Sequence, residues 1–286
     1  MAAPSPAGCL NCGAALTGRY CARCGQKAAR PNLTLGAFLK DTTEELTHWD
    51  GKVPATLRTL FFYPGVLTID FLAGRRARWL SPLRVYLICS VALFAGRALI
   101  DEIGLRPTRE MAGVSFKRED GATGPLTPAE RQKLAEGLPG RIFGVERLER
   151  AVQDSRQFNK AFESTLPRAM FILLPVFALL TNVAWRRVQP RYPAHLYAAL
   201  HIHAAVFGAF LIFSLLVGVT RSDWIEVAIG LGLQGYVAWY GLTALRRVFG
   251  DSWPRTIAKA AAIGVVYVVF FLAVGMVLLV YALSRM

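Results

Sequence analysis

The sequence predicts an all-α integral membrane protein: a helical bundle of about five spanning helices behind a small cysteine-rich N-terminal domain. The chain has 54% apolar and only 18% charged residues, with a mean hydropathy of +0.37. This balance is unusual for a water-soluble domain. The apolar residues are gathered into runs near 20 residues long, and each such run can cross a hydrocarbon core of roughly 30 Å. Four of the five cysteines lie close together near the N-terminus.

Residues 1–30 contain a metal-binding pattern. The four cysteines form two C-x-x-C pairs, each followed by a glycine: Cys9, Cys12 and Gly13, then Cys21, Cys24 and Gly25. The two-residue spacing lets a tight turn direct both thiolates at one ion, and glycine supplies the positive φ that such a turn needs. Four sulfur ligands suit zinc in a closed tetrahedral site, which holds together a segment too short to bury a core. The segment therefore predicts a zinc ribbon, while iron in a rubredoxin-like site and a redox dithiol pair remain as alternatives.

The ribbon is expected in the cytoplasm. Residues 1–40 lack the continuous apolar stretch of a secretory signal, and thiols stay reduced in the cytoplasm. Its basic and aromatic residues predict a surface that touches acidic protein, nucleic acid or lipid headgroups: Arg19, Tyr20, Arg23, Lys27 and Arg30.

Residues 31–80 are predicted to form amphipathic helices at the membrane interface. Prolines and glycines break this segment before any apolar run becomes long enough to span. One helix is expected from about Thr34, a second around residues 57–62, and a third over residues 66–72 that ends at Gly74.

Three arginines and a tryptophan follow, at Arg75, Arg76, Arg78 and Trp79. They are predicted to bind lipid, because basic residues near a membrane are attracted to anionic headgroups by roughly 1 kcal/mol each. The simpler interpretation is that the positive charge only anchors the topology. The alternative is a specific binding site for a lipid or a phosphate group.

Residues 81–286 are predicted to form the transmembrane bundle. Ser81 and Pro82 supply an N-cap and a first-turn proline for the first span. A capping box beginning at Thr127 predicts a short helix in an extracytoplasmic helical loop, residues 101–166. The five predicted spans are residues 81–100, 167–185, 195–218, 224–245 and 257–283.

The distribution of positive charge predicts the orientation. Arginines and lysines are concentrated before the first span, between the second and third, and between the fourth and fifth. Short loops rich in these residues are cytoplasmic. The chain is therefore expected to be a multi-pass protein with its N-terminus inside and its C-terminus outside.

Three of the four histidines, His195, His201 and His203, fall on the third predicted span. An ionisable group within a span marks a candidate functional site. On one helix His201 and His203 point about 200° apart, and His195 and His203 are about 12 Å apart along the axis, so the helix alone does not present a chelate. Interhelical hydrogen bonding or interface placement, a metal or haem site completed by other helices, and proton transfer are the three interpretations.

Small residues at four-residue spacing predict close helix packing. The pairs are Ala204 with Gly208 and Ala228 with Gly232.

Several short segments resemble a known family. They are Cys-Gly-Gln at 24–26, residues 56–60, Tyr-Pro-Gly at 63–65, Phe-Leu-Ala-Gly-Arg-Arg at 71–76 and Ser-Pro-Leu at 81–83, together with the histidine-bearing helix. In these segments the chain resembles a bacterial family of zinc-ribbon membrane proteins defined by a domain of unknown function. The resemblance implies the bacterial inner membrane and no particular activity. Tyr20 stands where this family is expected to have phenylalanine, which leaves the metal ligands unaffected.

The sequence contains no P-loop, no H-E-x-x-H and no G-x-S-x-G motif, so it indicates no reaction or substrate. The leading hypothesis is a membrane scaffold or regulator whose cytoplasmic zinc ribbon binds a protein partner. The alternative is a histidine-dependent membrane enzyme or transporter that uses the third span. A third hypothesis, nucleic-acid binding by the ribbon, predicts strongly salt-dependent association.

Overall fold

The computed structural model describes residues 8–28, 51–103, 127–137, 141, 144–146, 155–220 and 222–284. Within these residues there are eight α-helices and no β-strand. The helix predicted from about Thr34 lies outside them. The helices are α1 (Val53–Phe62), α2 (Val66–Leu72), α3 (Pro82–Glu102), α4 (Pro128–Glu136), α5 (Ser155–Trp185), α6 (Tyr192–Val219), α7 (Asp223–Phe249) and α8 (Trp253–Ser284).

The long helices α3, α5, α6, α7 and α8 lie where the five spans were predicted. Three segments are long and apolar enough to cross a membrane: Pro82–Ile100, Tyr192–Val219 and Trp253–Leu278. The apolar part of α5 is shorter, at Ala169–Trp185. Helix α7 is not among these three segments, because its glycines, tyrosines, tryptophans and Gln234 lower its mean hydropathy. By length and composition, these helices indicate a membrane protein with three candidate spans in the described part of the chain.

The first span starts at its proline with Ser81 at the N-cap position, as predicted. The N–H of Val85 donates to the carbonyl of Ser81 at 3.0 Å, which opens the helical hydrogen bonding. The Ser81 hydroxyl is buried and makes no hydrogen bond within the described residues. Ser81 therefore occupies the predicted N-cap position through its carbonyl, while its side chain does not cap the helix within the described residues.

The chain divides into two compact units, one of residues 1–106 and 174–265 and the other of residues 107–173 and 266–286. In the first unit α6 is central, because it packs against α3, α7, α1 and α2. Every residue from Pro193 to Ala205 is buried. A helix that is covered on all sides over such a length serves as the core of its bundle.

The small-residue prediction holds at Gly208 and is wrong at Gly232. A Cβ atom placed on Gly208 would come within 2.3 Å of Cζ of Phe61, so only glycine leaves room for α1 to approach α6. A Cβ atom on Gly232 meets no described atom within 4 Å. Gly232 therefore does not mediate a close approach between the helices described.

Helices α1 and α2 form a hairpin, residues 53–72, that packs on α6 and α7. The turn contains Pro64, which stops α1, and Gly65, whose φ of 81° is left-handed. A Cβ atom on Gly65 would lie 3.1 Å from the carbonyl oxygen of Ala244. Glycine is thus required here both for its backbone conformation and for the close contact with α7. The hairpin buries Leu60, Leu67 and Phe71.

The second unit contains α4 and the predicted capping box. The N–H of Glu130 donates to the Thr127 hydroxyl at 3.3 Å, and a Glu130 carboxylate oxygen accepts from the Thr127 N–H at 2.8 Å. The capping-box prediction is confirmed. Helix α5 begins at Ser155 and continues through Pro167 to Trp185, so the second predicted span starts inside a longer helix.

Candidate metal centre and its supporting loop

Each C-x-x-C pair forms a tight turn closed by two backbone hydrogen bonds. The N–H of Cys9 donates to the carbonyl of Ala14, and the N–H of Gly13 donates to the carbonyl of Cys9, both at 2.8 Å. The second pair repeats this pattern around Cys21 and Gly25 at 2.8 and 2.9 Å. Gly13 and Gly25 have φ values of 75° and 71°, as predicted from their positions.

The two turns bring four sulfur atoms together. The Sγ atoms of Cys9 and Cys24 are 3.5 Å apart, as are those of Cys12 and Cys21, and all four lie within 4.8 Å of one another. A tetrahedral ion with bonds of about 2.3 Å to sulfur separates its ligands by about 3.8 Å. The four cysteines are not joined by disulfides. They therefore fit a single four-coordinate metal ion, and among the described residues they are the one such cluster of metal-binding side chains.

Backbone hydrogen bonds favour the thiolate form at two of these cysteines. The N–H of Gln26 lowers the pKa of the Cys24 thiol to about 6, and that of Cys24 lowers the pKa of Cys21. The N–H of Ala14 also lowers the pKa of Cys12, but burial and the three neighbouring sulfurs together raise it to about 11. Ionisation is thus favoured at Cys24 and Cys21 and disfavoured at Cys12. A bound cation would stabilise all of these thiolates together.

The outer surface of the ribbon is basic. Its exposed side chains include Arg19, Tyr20, Arg23 and Lys27, here called the basic ribbon face, while Arg30 lies outside the described residues. Tyr20 and Lys27 are paired by an antiparallel backbone bridge, and the Tyr20 side chain is 61% exposed. Large aromatic groups at this exposure, beside three cations, are suited to contact with a partner.

The Gln26 side chain joins the ribbon to the loop that precedes α3. The Gln26 side-chain amide donates to the carbonyl of Gly74 at 2.8 Å and accepts from the N–H groups of Arg76 and Ala77, both at 3.0 Å. Residues 74–79, here called the latch loop, are thus recognised through their backbone. The ribbon is attached to this loop rather than held only by its chain connection.

Three of the latch-loop residues that were predicted to bind lipid have protein partners outside the loop. Arg75 donates twice to one carboxylate oxygen of Asp70, at 2.6 and 2.9 Å, and the Trp79 indole donates to the other at 2.7 Å. Asp70 is 7% exposed, so its charge is balanced where water is scarce. Arg78 reaches the ribbon and donates to the side-chain oxygen of Asn11 at 3.4 Å.

The fourth residue, Arg76, lies with its guanidinium 6.0 Å from the ring centre of Phe71, at the limit of a cation–π contact. The four residues are therefore brought together in one loop, and lipid binding by them stays a prediction.

Two of the three histidines on α6 form hydrogen bonds with backbone carbonyls a few residues earlier in the chain. His195 Nε2 donates to the carbonyl of Gln189 and His203 Nδ1 donates to that of Ala199, both at 2.8 Å. Both imidazoles are buried. These bonds give His195 and His203 structural roles within the helix and its N-terminal connection.

The third histidine links two helices. His201 Nδ1 lies 2.9 Å from the Thr68 hydroxyl of α2, and the Phe71 ring packs edge-on against the imidazole at 6.0 Å. This is the interhelical hydrogen bonding that was one of the three interpretations. The described residues bring no three His, Cys, Asp or Glu side chains together around these histidines.

Sequence reasoning missed a polar cluster around Asp251, between α7 and α8. The Trp185 indole donates to Asp251 at 2.8 Å, and Lys259 pairs with the same oxygen at 2.7 Å, its ammonium lying 4.9 Å from the centre of the Trp185 ring. The Phe249 ring stacks on Trp185 at 4.9 Å and on His195 at 4.8 Å. The hydrogen bond from Lys259 lowers the pKa of Asp251, with the indole bond adding to it. One acidic residue among many basic ones was the only available signal.

Residues 50–94 match the family model described as "Protein of unknown function (DUF3667)". The match covers the α1–α2 hairpin, the latch loop and the first part of α3, and it supports the resemblance seen in the sequence over this segment. No curated protein and no solved structure matches the chain.

Proposed function

We propose that the protein is a scaffold or regulator of the bacterial inner membrane whose cytoplasmic zinc ribbon binds a protein partner. The observation that carries this proposal is the attachment of the ribbon through Gln26 to the latch loop. The attachment fixes one side of the ribbon and leaves the basic ribbon face exposed. A rigidly held face binds a partner with less loss of conformational entropy than a free arm does.

Zinc is the proposed ion. A closed shell of four thiolates at tetrahedral spacing is the typical structural zinc site, and such sites contribute directly to folding. Its role would be to hold the two cysteine turns together and so to position Gln26.

The proposed topology has five spans, with α5 and α7 crossing the membrane in addition to the three candidate spans. Asp223 and Glu226 lie in the first turn of α7, and Arg246 and Arg247 lie in its last turn. This arrangement suits the helix dipole and supports a cytoplasmic location for the basic end. The ribbon is then on the same side as the end of α7.

The partner is proposed to present an acidic surface. Charge complementarity with the basic ribbon face would speed association and set the orientation of the complex. Nucleic acid has the same charge, and a strong decrease of binding with salt to a defined oligonucleotide would favour it instead.

The test is affinity capture of the full chain from membranes with quantitative mass spectrometry. One variant carries Arg19→Glu, Arg23→Glu and Lys27→Glu, and a second carries Cys9→Ser and Cys12→Ser. A matched control carries the charge reversals Arg131→Glu and Lys133→Glu at exposed positions of α4 in the second unit. The proposal expects one set of proteins lost from both ribbon variants and retained by the control. An identical set from all four proteins would refute it.

The alternative, a histidine-dependent membrane enzyme or transporter, is favoured by two imidazole nitrogens. His195 Nδ1 and His201 Nε2 are buried and make no hydrogen bond with the described residues. A metal or haem held there would appear as an ion beyond the one expected for the ribbon, or as visible absorbance. Purified protein with neither would remove the metal form of this alternative.

A further inference from the structure

We propose that the α1–α2 hairpin is a re-entrant loop. It enters the bilayer from the ribbon side, reaches its greatest depth near Phe61, returns through the turn at residues 63–65, and presents Phe62 and Tyr63 to lipid acyl chains. The occupant of this surface is therefore lipid rather than protein.

The depth follows from the contacts of Phe61. Its ring lies against Gly208, which is about 24 Å from the first residue of α6 and about 16 Å from the last at 1.5 Å per residue. Wherever a core of roughly 30 Å is placed on this helix, Gly208 lies several ångströms inside it. The carbonyl of Phe61 accepts at 3.0 Å from the hydroxyl of Tyr236, about 20 Å from either end of α7. Both neighbours of Phe61 thus lie well within their helices.

The backbone of the turn is adapted to an environment without water. A helix break in hydrocarbon is tolerated only where the freed polar groups find protein partners. The carbonyl of Phe61 has the Tyr236 hydroxyl, and that of Pro64 accepts from the Arg247 guanidinium at 2.7 Å. The carbonyl of Tyr63 accepts from the N–H of Val66 at 3.2 Å. Side chains of α7 therefore satisfy two carbonyls that the break releases.

Both ends of the hairpin lie on one side. Near its start, the Thr56 hydroxyl accepts from the N–H of Leu80, immediately before α3. After its end comes the latch loop, which Gln26 joins to the ribbon. The ten residues of α1 rise about 15 Å, which is half of a hydrocarbon core. The segment therefore enters and leaves by the same face and does not cross.

The tip of the hairpin exposes two aromatic side chains. Phe62 is 70% exposed and Tyr63 is 51% exposed, whereas Leu60 is buried. At the depth set by Gly208 and Tyr236, the medium around an exposed phenylalanine is acyl chain. Exposure that would be costly in water is favourable there.

The test replaces Phe62 with benzoylphenylalanine in the full chain, in nanodiscs of phosphatidylethanolamine and phosphatidylglycerol. On illumination the ketone takes a hydrogen atom from a neighbouring C–H, and the two carbon radicals combine, so the ketone becomes a tertiary alcohol joined to its neighbour. Mass spectrometry of the product identifies the neighbour. We expect a phospholipid adduct attached along the acyl chain.

The matched control replaces Tyr20 on the basic ribbon face, which has similar exposure, and should give no acyl-chain adduct. Three results at position 62 would overturn the proposal: attachment to headgroup or glycerol carbons, which indicates a hairpin lying flat; a cross-link to protein; or no adduct. Both substitutions exchange one exposed aromatic group for another, so misfolding does not account for a negative result.

Discussion

The Gln26 side chain offers the sharpest perturbation of the ribbon's attachment. In Gln26→Ala, the N–H groups of Arg76 and Ala77 lose their acceptor and the Gly74 carbonyl loses its donor. Each hydrogen bond contributes roughly 0.5–1.5 kcal/mol net, and the contact is partly buried, so the opening free energy of the latch loop should fall by about 2 kcal/mol. That corresponds to a roughly 30-fold larger opening equilibrium constant, and so to roughly 30-fold faster hydrogen exchange of these amides when reclosing is fast.

The assay is amide hydrogen exchange followed by mass spectrometry on peptides covering residues 74–80. Gln26→Glu keeps the oxygen that accepts from Arg76 and Ala77 but loses the donor to Gly74, so those two amides should remain protected. Gln132→Ala, which removes an exposed Gln–Glu hydrogen bond on α4, is the control and should leave the loop unchanged. Unchanged exchange at Arg76 and Ala77 in Gln26→Ala would show that the attachment is not as described.

Three further predictions concern stability, measured as the thermal midpoint in detergent. Gly208→Ala should lower it by an amount corresponding to about 1–3 kcal/mol, because the new Cβ overlaps the Phe61 ring. Tyr236→Phe should cost about 1–3 kcal/mol, because the carbonyl of Phe61 then has no donor. Asp251→Asn should lower the midpoint at neutral pH, since it removes the charge that pairs with lysine. Because the pKa of Asp251 is lower in the folded state, its ionised carboxylate stabilises the fold at pH values above the unfolded pKa of about 3.9. This stabilisation is lost as the pH falls through the folded pKa. The difference between wild type and Asp251→Asn should therefore shrink below about pH 4.

Each of these predictions has a result that contradicts it. Gly232→Ala, where no described atom is near, should leave stability equal or higher, so an equal loss in both glycine variants would discount the Phe61 contact. A Tyr236→Phe protein as stable as wild type would mean that the hydroxyl bond contributes nothing. A constant difference between wild type and Asp251→Asn at every pH would exclude an ionised Asp251 as its source.

The features that were predictable from sequence are those determined by neighbouring residues. The two cysteine turns depend on a two-residue spacing and a following glycine, so Gly13 and Gly25 could be assigned a positive φ in advance. The long helices were predictable because a chain in lipid must satisfy its backbone hydrogen bonds locally. The capping box at Thr127 depends on residues three apart.

The features that were not predictable depend on residues far apart in the chain. Gln26 recognises a loop that begins 48 residues later, and its place in the Cys-Gly-Gln segment does not indicate what its side chain binds. The role of Gly208 depends on Phe61, and that of Asp251 depends on Trp185. The Ala228–Gly232 spacing is the same as that of Ala204–Gly208, yet among the described residues only Gly208 closely contacts another helix, so spacing alone does not determine a contact.

Metal analysis with an absorbance spectrum of the protein purified in detergent is the decisive experiment for the proposed zinc centre. We expect one zinc per chain, no visible absorbance band, and loss of the metal in Cys9→Ser with Cys12→Ser. Bound iron with visible absorbance, or a folded wild-type protein without metal, would contradict it.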